Sequence, residues 1–114
     1  MATRSTIGYE TADGGYVGVY CHYDGEPSNI GPSLDAMLHA DVVIMVERAL
    51  RNGGMRCLNG PDSFELFNEP SHRAHWLHDH WPECSEDYAY RKRLDGRVEY
   101  IDGSDTVREW KPKG

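Results

Sequence analysis

The chain opens with two short runs of β-branched and aromatic residues. The first is Ser5 to Thr11, carrying Thr6, Ile7 and Tyr9; the second begins at Tyr16 and carries Val17, Val19 and Tyr20. Such side chains suit a pleated, half-buried surface, so both runs are read as strands. Ala12-Asp13-Gly14-Gly15 lies between them. Asp-Gly between two strand-like runs predicts a hairpin, because glycine accepts the positive φ that tight turns need. Gly18, inside the second run, predicts a bulge or a close approach of backbone. The run then passes into Tyr23-Asp24-Gly25-Glu26-Pro27, which is turn chemistry. Aspartate bonds nearby backbone N–H groups, glycine takes left-handed φ, and Pro27 is suited to start a helix.

After Pro27 the period changes from two to helical. Ile30, Leu34, Met37 and Leu38 form one apolar stripe, with Ser28 or Ser33 as N-cap. His39-Ala40-Asp41 reads as a break, and Asp41 as the N-cap of a second helix over Val42 to Arg51. Val42, Met45, Val46, Ala49 and Leu50 share a face there, Val43 and Ile44 widen it, and Gly53-Gly54 ends it. Met55 to Leu58 reads as a short strand, Ser63 to Asn68 as strand or helical turn, and His72 to Trp81 as a short helix ended by Pro82. Tyr88 to Leu94 and Arg97 to Ile101 flank Asp95-Gly96, a second hairpin. A three-residue loop over Asp95 to Arg97 gathers Tyr88, Tyr90, Leu94, Val98 and Tyr100 on one face. Thr106 to Trp110 reads as an edge strand. The expected fold is a single α+β domain over residues 1–114. Its antiparallel sheet comes from the N- and C-terminal hairpins, and one or two helices pack on one face.

Composition narrows the function. At 114 residues, 39% hydrophobic and 27% charged, the chain reads as a globular protein. Its longest apolar run, Val42 to Val46, is too short to span a bilayer, and the polar start predicts no export signal and a cytoplasmic location. Cys21, Cys57 and Cys84 are an odd number at wide spacing, which predicts reduced thiols. Net charge is −7 and unevenly placed: residues 1–90 carry fourteen acidic and five basic side chains, residues 91–114 five and seven. An acidic body repels nucleic-acid phosphate and suits a partner with a basic surface.

The opening T-R-S-T-I-G-Y-E, the Asp13-Gly14 turn and the segment V-Y-C-H-Y-D-G-E-P resemble a family of small uncharacterised proteins from tailed phages and mobile elements. The resemblance covers the first quarter of the chain and returns at Leu34 to Leu38 and at Tyr88-Ala89-Tyr90; residues 55–86 align with nothing. The family has no assigned activity. The resemblance implies a genetic context, a phage accessory protein in a bacterial host cell, and no mechanism.

The richest chemical cluster is His72, His75, His78, His80 and Cys84. Imidazole and thiolate suit zinc, and His75 and His78 share a helix face. Yet the spacing matches no standard finger, H-E-x-x-H is absent, and Trp76, Leu77 and Trp81 interleave as a packed or partly exposed surface would. No cofactor is the expectation, with zinc as the alternative. Cys21 and His22 are adjacent on a strand and point to opposite faces, which argues against a thiolate–imidazole pair. Cys21 reads as a small buried hydrophobe, with His22 and Asp24 holding the turn through side-chain-to-backbone bonds. No nucleophile elbow, phosphate loop or dinucleotide fingerprint occurs.

These features predict a non-enzymatic protein that binds a host protein with a basic surface, through His22, Tyr23, Asp24, Trp76 and Trp81; self-association would use the same residues. The alternatives are a small metal-dependent hydrolase using the His72–Cys84 cluster, and a small-ligand-binding protein whose sheet tyrosines line a pocket.

Overall fold

The fold was obtained as a computed structural model, and the structure describes residues 3–61, 63–66, 87–102 and 106–112. Among these the chain runs β1 (Ser5–Glu10), β2 (Tyr16–Cys21), α1 (Pro27–Asp35), α2 (His39–Arg51), β3 (Met55–Leu58), β4 (Phe64–Leu66), β5 (Tyr88–Lys92), β6 (Val98–Ile101) and β7 (Val107–Trp110). All the strands join one sheet in the order β4-β3-β2-β1-β5-β6-β7. The α+β class is as expected, but the sheet is mixed rather than antiparallel throughout. The two hairpins are antiparallel, whereas β1 pairs β5 and β2 pairs β3 in parallel. The β2–β3 case follows from connection length. Both helices intervene between these neighbours, and a long crossover can return the chain in the same direction.

The helix boundaries differ from the periodicity reading. Pro27 starts α1 at its first turn, after Glu26 in extended conformation, so neither serine is the N-cap. Pro32 sits inside α1, where Ile30 and Leu34 are buried. His39, Ala40 and Asp41 are the first turn of α2 rather than a break, and Leu38 precedes it as N-cap with no side-chain cap bond. Val42, Met45, Val46 and Ala49 are buried as expected, but Ile44 is exposed. It lies off the stripe that meets the sheet. The Gly53-Gly54 stop holds: both have positive φ, and the Gly54 N–H donates to the Ala49 carbonyl at 2.8 Å.

The hairpins close alike. In the first, the Gly14 N–H donates to Thr11 O and the Thr11 N–H to Gly15 O; in the second, Gly96 donates to Arg93 O and Arg93 to Arg97 O. Each aspartate, Asp13 and Asp95, accepts from the N–H two residues on, at 3.2 and 3.0 Å. The second loop therefore has three residues, as expected, but they are Leu94 to Gly96. The one-residue shift puts Lys92 opposite Val98 on the inner face and leaves Leu94 exposed in the turn. An aspartate that caps its own turn decided the register over the gathering of apolar residues.

The helices cover one face of the sheet. There Ile7, Tyr9, Val17, Val19 and Cys21 meet Ile30, Leu34, Val42, Met45 and Val46 in one core. At the far edge Trp110 lies against Gly31, where α1 has no room for a Cβ. The opposite face is also buried at its centre: Thr6, Tyr16, Tyr20, Ala89 and Ile101 are all inaccessible. β1 and β2 are thus buried on both faces, the condition of central strands. On this second face Gly8 stands directly opposite Gly18, and the Tyr16 ring lies over both. A Cβ on Gly8 would fall 2.6 Å from a Tyr16 ring carbon, and one on Gly18 2.6 Å from its hydroxyl oxygen. That hydroxyl donates to the Tyr90 carbonyl at 2.9 Å, tying β2 across β1 to β5. Gly18 thus marks a close approach and not a bulge.

Candidate functional site

The turn after β2 is built by bonds from several parts of the chain. Past Cys21 the backbone keeps pairing with β3: the His22 N–H donates to Met55 O at 3.1 Å and the Tyr23 N–H to Arg56 O at 2.8 Å. Asp24 then takes a left-handed conformation, φ +56°, and stands alone among the described non-glycine residues in doing so. Asparagine and aspartate tolerate this region better than other side chains, yet it is held only where the surroundings require it. Gly25 is buried beside Ser5, with a Cβ position 2.8 Å from the Ser5 Oγ, and its N–H donates to Thr3 O at 3.0 Å. The Gly25 carbonyl accepts from the Tyr90 hydroxyl. Asn29, on α1, donates from Nδ2 to Asp24 O at 2.7 Å and to Leu58 O at 2.8 Å. One amide thereby clamps the turn to the end of β3.

The side chains on this frame sort by face. Cys21 is buried on the helix side, and its Sγ donates to the Tyr23 carbonyl at 3.6 Å. Burial pushes its thiol up to about 12, so it stays protonated and is a poor nucleophile. Cys57, half-buried on β3, is also shifted upward by burial. His22 turns to the other face, where its Nδ1 lies 2.6 Å from the Tyr20 hydroxyl. Cys21 and His22 thus have different partners, the Tyr23 carbonyl for the thiol and the Tyr20 hydroxyl for the imidazole. One detail differs: Asn29 and Tyr90 hold the turn by their side chains, with Asp24 contributing its carbonyl. Tyr23 projects outward, 44% exposed, with the His22 ring set edge-on at 4.4 Å.

His22, Tyr23 and Asp24 are thus consecutive residues of one braced turn. Trp76 and Trp81 lie outside the described residues, as do His72, His75, His78, His80 and Cys84. Among the described residues no group of three His, Cys, Asp or Glu side chains could hold a metal ion, and no helix is long and apolar enough to cross a membrane. Asn29 and Tyr90 were missed from sequence. An asparagine in the first turn of α1, two residues after Pro27, was the available signal for the first; nothing local signals the second, whose partner is 65 residues away.

Tyr88, Tyr90 and Tyr100 stand in a row on the helix side, with centroids 6.2 and 6.1 Å apart, and join the core. Compared with known proteins, the chain matches no family model, no curated protein and no solved structure.

Proposed function

We propose that this chain is a non-catalytic binding protein that docks a partner protein with a basic surface on the turn Tyr23-Asp24-Gly25. The observation that carries this reading is an exposed tyrosine on a backbone fixed by Arg56, Asn29, Tyr90 and Thr3. An aromatic side chain held ready in this way loses little freedom on docking, and interface energy concentrates in such anchors. The Asp24 carboxylate beside it, and the net charge of −7, favour encounter with a positive patch. The resemblance of the opening quarter to phage proteins suggests that the partner belongs to the host cell.

The test is capture from host lysate with the wild type and with Tyr23→Ala. Tyr23 is exposed, so the substitution is expected to leave thermal stability within about 0.5 kcal/mol of wild type. Its effect on capture is expected to be large, a loss of about 30-fold in affinity or more, as for an anchor worth ~2 kcal/mol. Capture of the wild type is expected to weaken as salt rises. Equal capture by Tyr23→Ala would reject the reading.

A further inference from the structure

The other end of the sheet holds an open pocket of about 380 Å³, where the joint between α1 and α2 meets the hairpin of β5 and β6. Met37, Leu38 and Leu94 give it an apolar lining, and Lys92 lines it beside them. Leu38 and Leu94 are 72% and 51% exposed, large apolar side chains with no cover.

Lys92 is the unusual member, at 2% exposed. Its Nζ donates one hydrogen bond, 2.9 Å to the Leu34 carbonyl in the last turn of α1. It stands in no ion pair among the described residues. An ammonium has three donors, so two remain without an acceptor among the described residues. Burying such a group without an anion is costly. In keeping with this, burial moves its pKa below the ordinary lysine range, against the opposing fields of Asp35 and Asp95.

Leu38 and His39, at the start of α2, line the same pocket. Leu38 offers no side-chain cap, and the N–H groups of His39 and Ala40 find no backbone acceptor among the described residues. The His39 ring is committed elsewhere, its Nε2 bonded to Glu10 O at 2.8 Å. Asp95 is largely answered by Arg97, which donates to it from its backbone N–H at 3.0 Å and from Nε at 2.8 Å. Asp35 remains as a nearby carboxylate on the lining and disfavours a second negative charge.

We propose that this pocket binds a small monocarboxylate with an apolar body. The carboxylate accepts from Lys92 Nζ and from the uncapped N–H groups of α2, and the apolar body covers Leu38 and Leu94. The donors that folding leaves without acceptors and the apolar surface it leaves uncovered are then both satisfied by one ligand.

Hexanoate is the probe, followed through the backbone amide signals of the full chain, with hexanol, hexylamine and acetate as controls. Hexanoate is expected to shift the His39, Ala40 and Lys92 amides in a saturable way, and hexanol and hexylamine are not. Lys92→Met matches the apolar stem of the side chain and removes the ammonium, and it is expected to weaken hexanoate by about tenfold or more, as for loss of a charge-assisted bond. The double variant Leu38→Ala, Leu94→Ala changes exposed residues only, and is expected to bring hexanoate binding down to the acetate level. If Lys92→Met does not fold, the double variant decides alone. No saturable shift with hexanoate, an equal response to hexanol or hexylamine, or undiminished binding in the double variant overturns the proposal.

Discussion

Gly8→Val is expected to abolish the folded state. Gly8 stands opposite Gly18 in the middle of the two strands buried on both faces, and the Tyr16 ring lies on it. A Cβ there meets the Val17 carbonyl, a Tyr16 ring carbon at 2.6 Å and the Gly18 Cα at 2.7 Å. Two of those three neighbours are backbone, which cannot move aside without parting β1 from β2. Tyr16 cannot swing away cheaply either, since its hydroxyl is bonded to Tyr90 O. Overpacking a core ordinarily costs 1–3 kcal/mol; with backbone as the obstacle we expect more than about 4 kcal/mol, a large share of a small domain's stability. Gly14→Ala is the contrast. Gly14 has φ +85° but nothing within 4 Å of its Cβ position, so the cost is limited to the left-handed conformation, about 1–2 kcal/mol. Thermal melts followed by circular dichroism check both. A cooperative transition in Gly8→Val near the wild-type temperature would show that the strands can separate to admit a side chain.

Tyr90 is the second position of large expected effect. Its ring is fully buried in the core between Tyr88 and Tyr100, and its hydroxyl donates to the Gly25 carbonyl. Burial raises its pKa far above the ordinary tyrosine value, so the hydroxyl stays a neutral donor at all working pH. Tyr90→Ala is expected to cost about 3–5 kcal/mol, as for other large buried aromatics. Tyr90→Phe separates packing from the bond. It keeps the ring and orphans a buried carbonyl, at about 1–3 kcal/mol. The same change removes one of the braces on the Tyr23 turn, so amide exchange at Tyr23 to Gly25 is expected to quicken beyond what the global loss explains. Denaturant melts and hydrogen exchange measure the two effects. Tyr90→Phe with wild-type stability would mean that the Gly25 carbonyl finds another donor.

Local chemistry was legible in the sequence, and long-range pairing was not. The Asp-Gly hairpins, the Gly53-Gly54 stop, the short strand Met55–Leu58 and the edge strand were readable because each depends on a few neighbouring residues. The parallel pairing of β1 with β5 has no local signature, so two antiparallel hairpins were expected to build a sheet that proved mixed. The buried stripe of α2 was readable, while its first turn was hidden because Leu38 is a poor N-cap by type. Lys92 escaped notice because a lysine among Tyr88, Tyr90, Val98 and Tyr100 breaks the apolar pattern, which made Leu94 the more attractive inward residue. In the turn, Tyr23 and its neighbours stood out by residue type, but their supports Asn29 and Tyr90 come from elements placed there by the fold.

The pairing of β1 with β5 also orders events in time. Ser5 lies beside Tyr88, so the central junction of the sheet joins residues 83 positions apart, whereas β1–β2 and β5–β6–β7 close over short loops. Closing a long loop is entropically slow, and its cost falls before the contacts reward it. Each end of the chain can thus assemble its own strands early, leaving the outer edge of β1 as a bare row of amide and carbonyl groups until β5 arrives. In pulse-labelled refolding, the β1 amides bonded to β2 are expected to gain protection before those bonded to β5; simultaneous protection would indicate that the two halves form only together. Until the junction closes, that bare edge is open to a β5 from another copy, which makes strand exchange between molecules the natural failure of this topology.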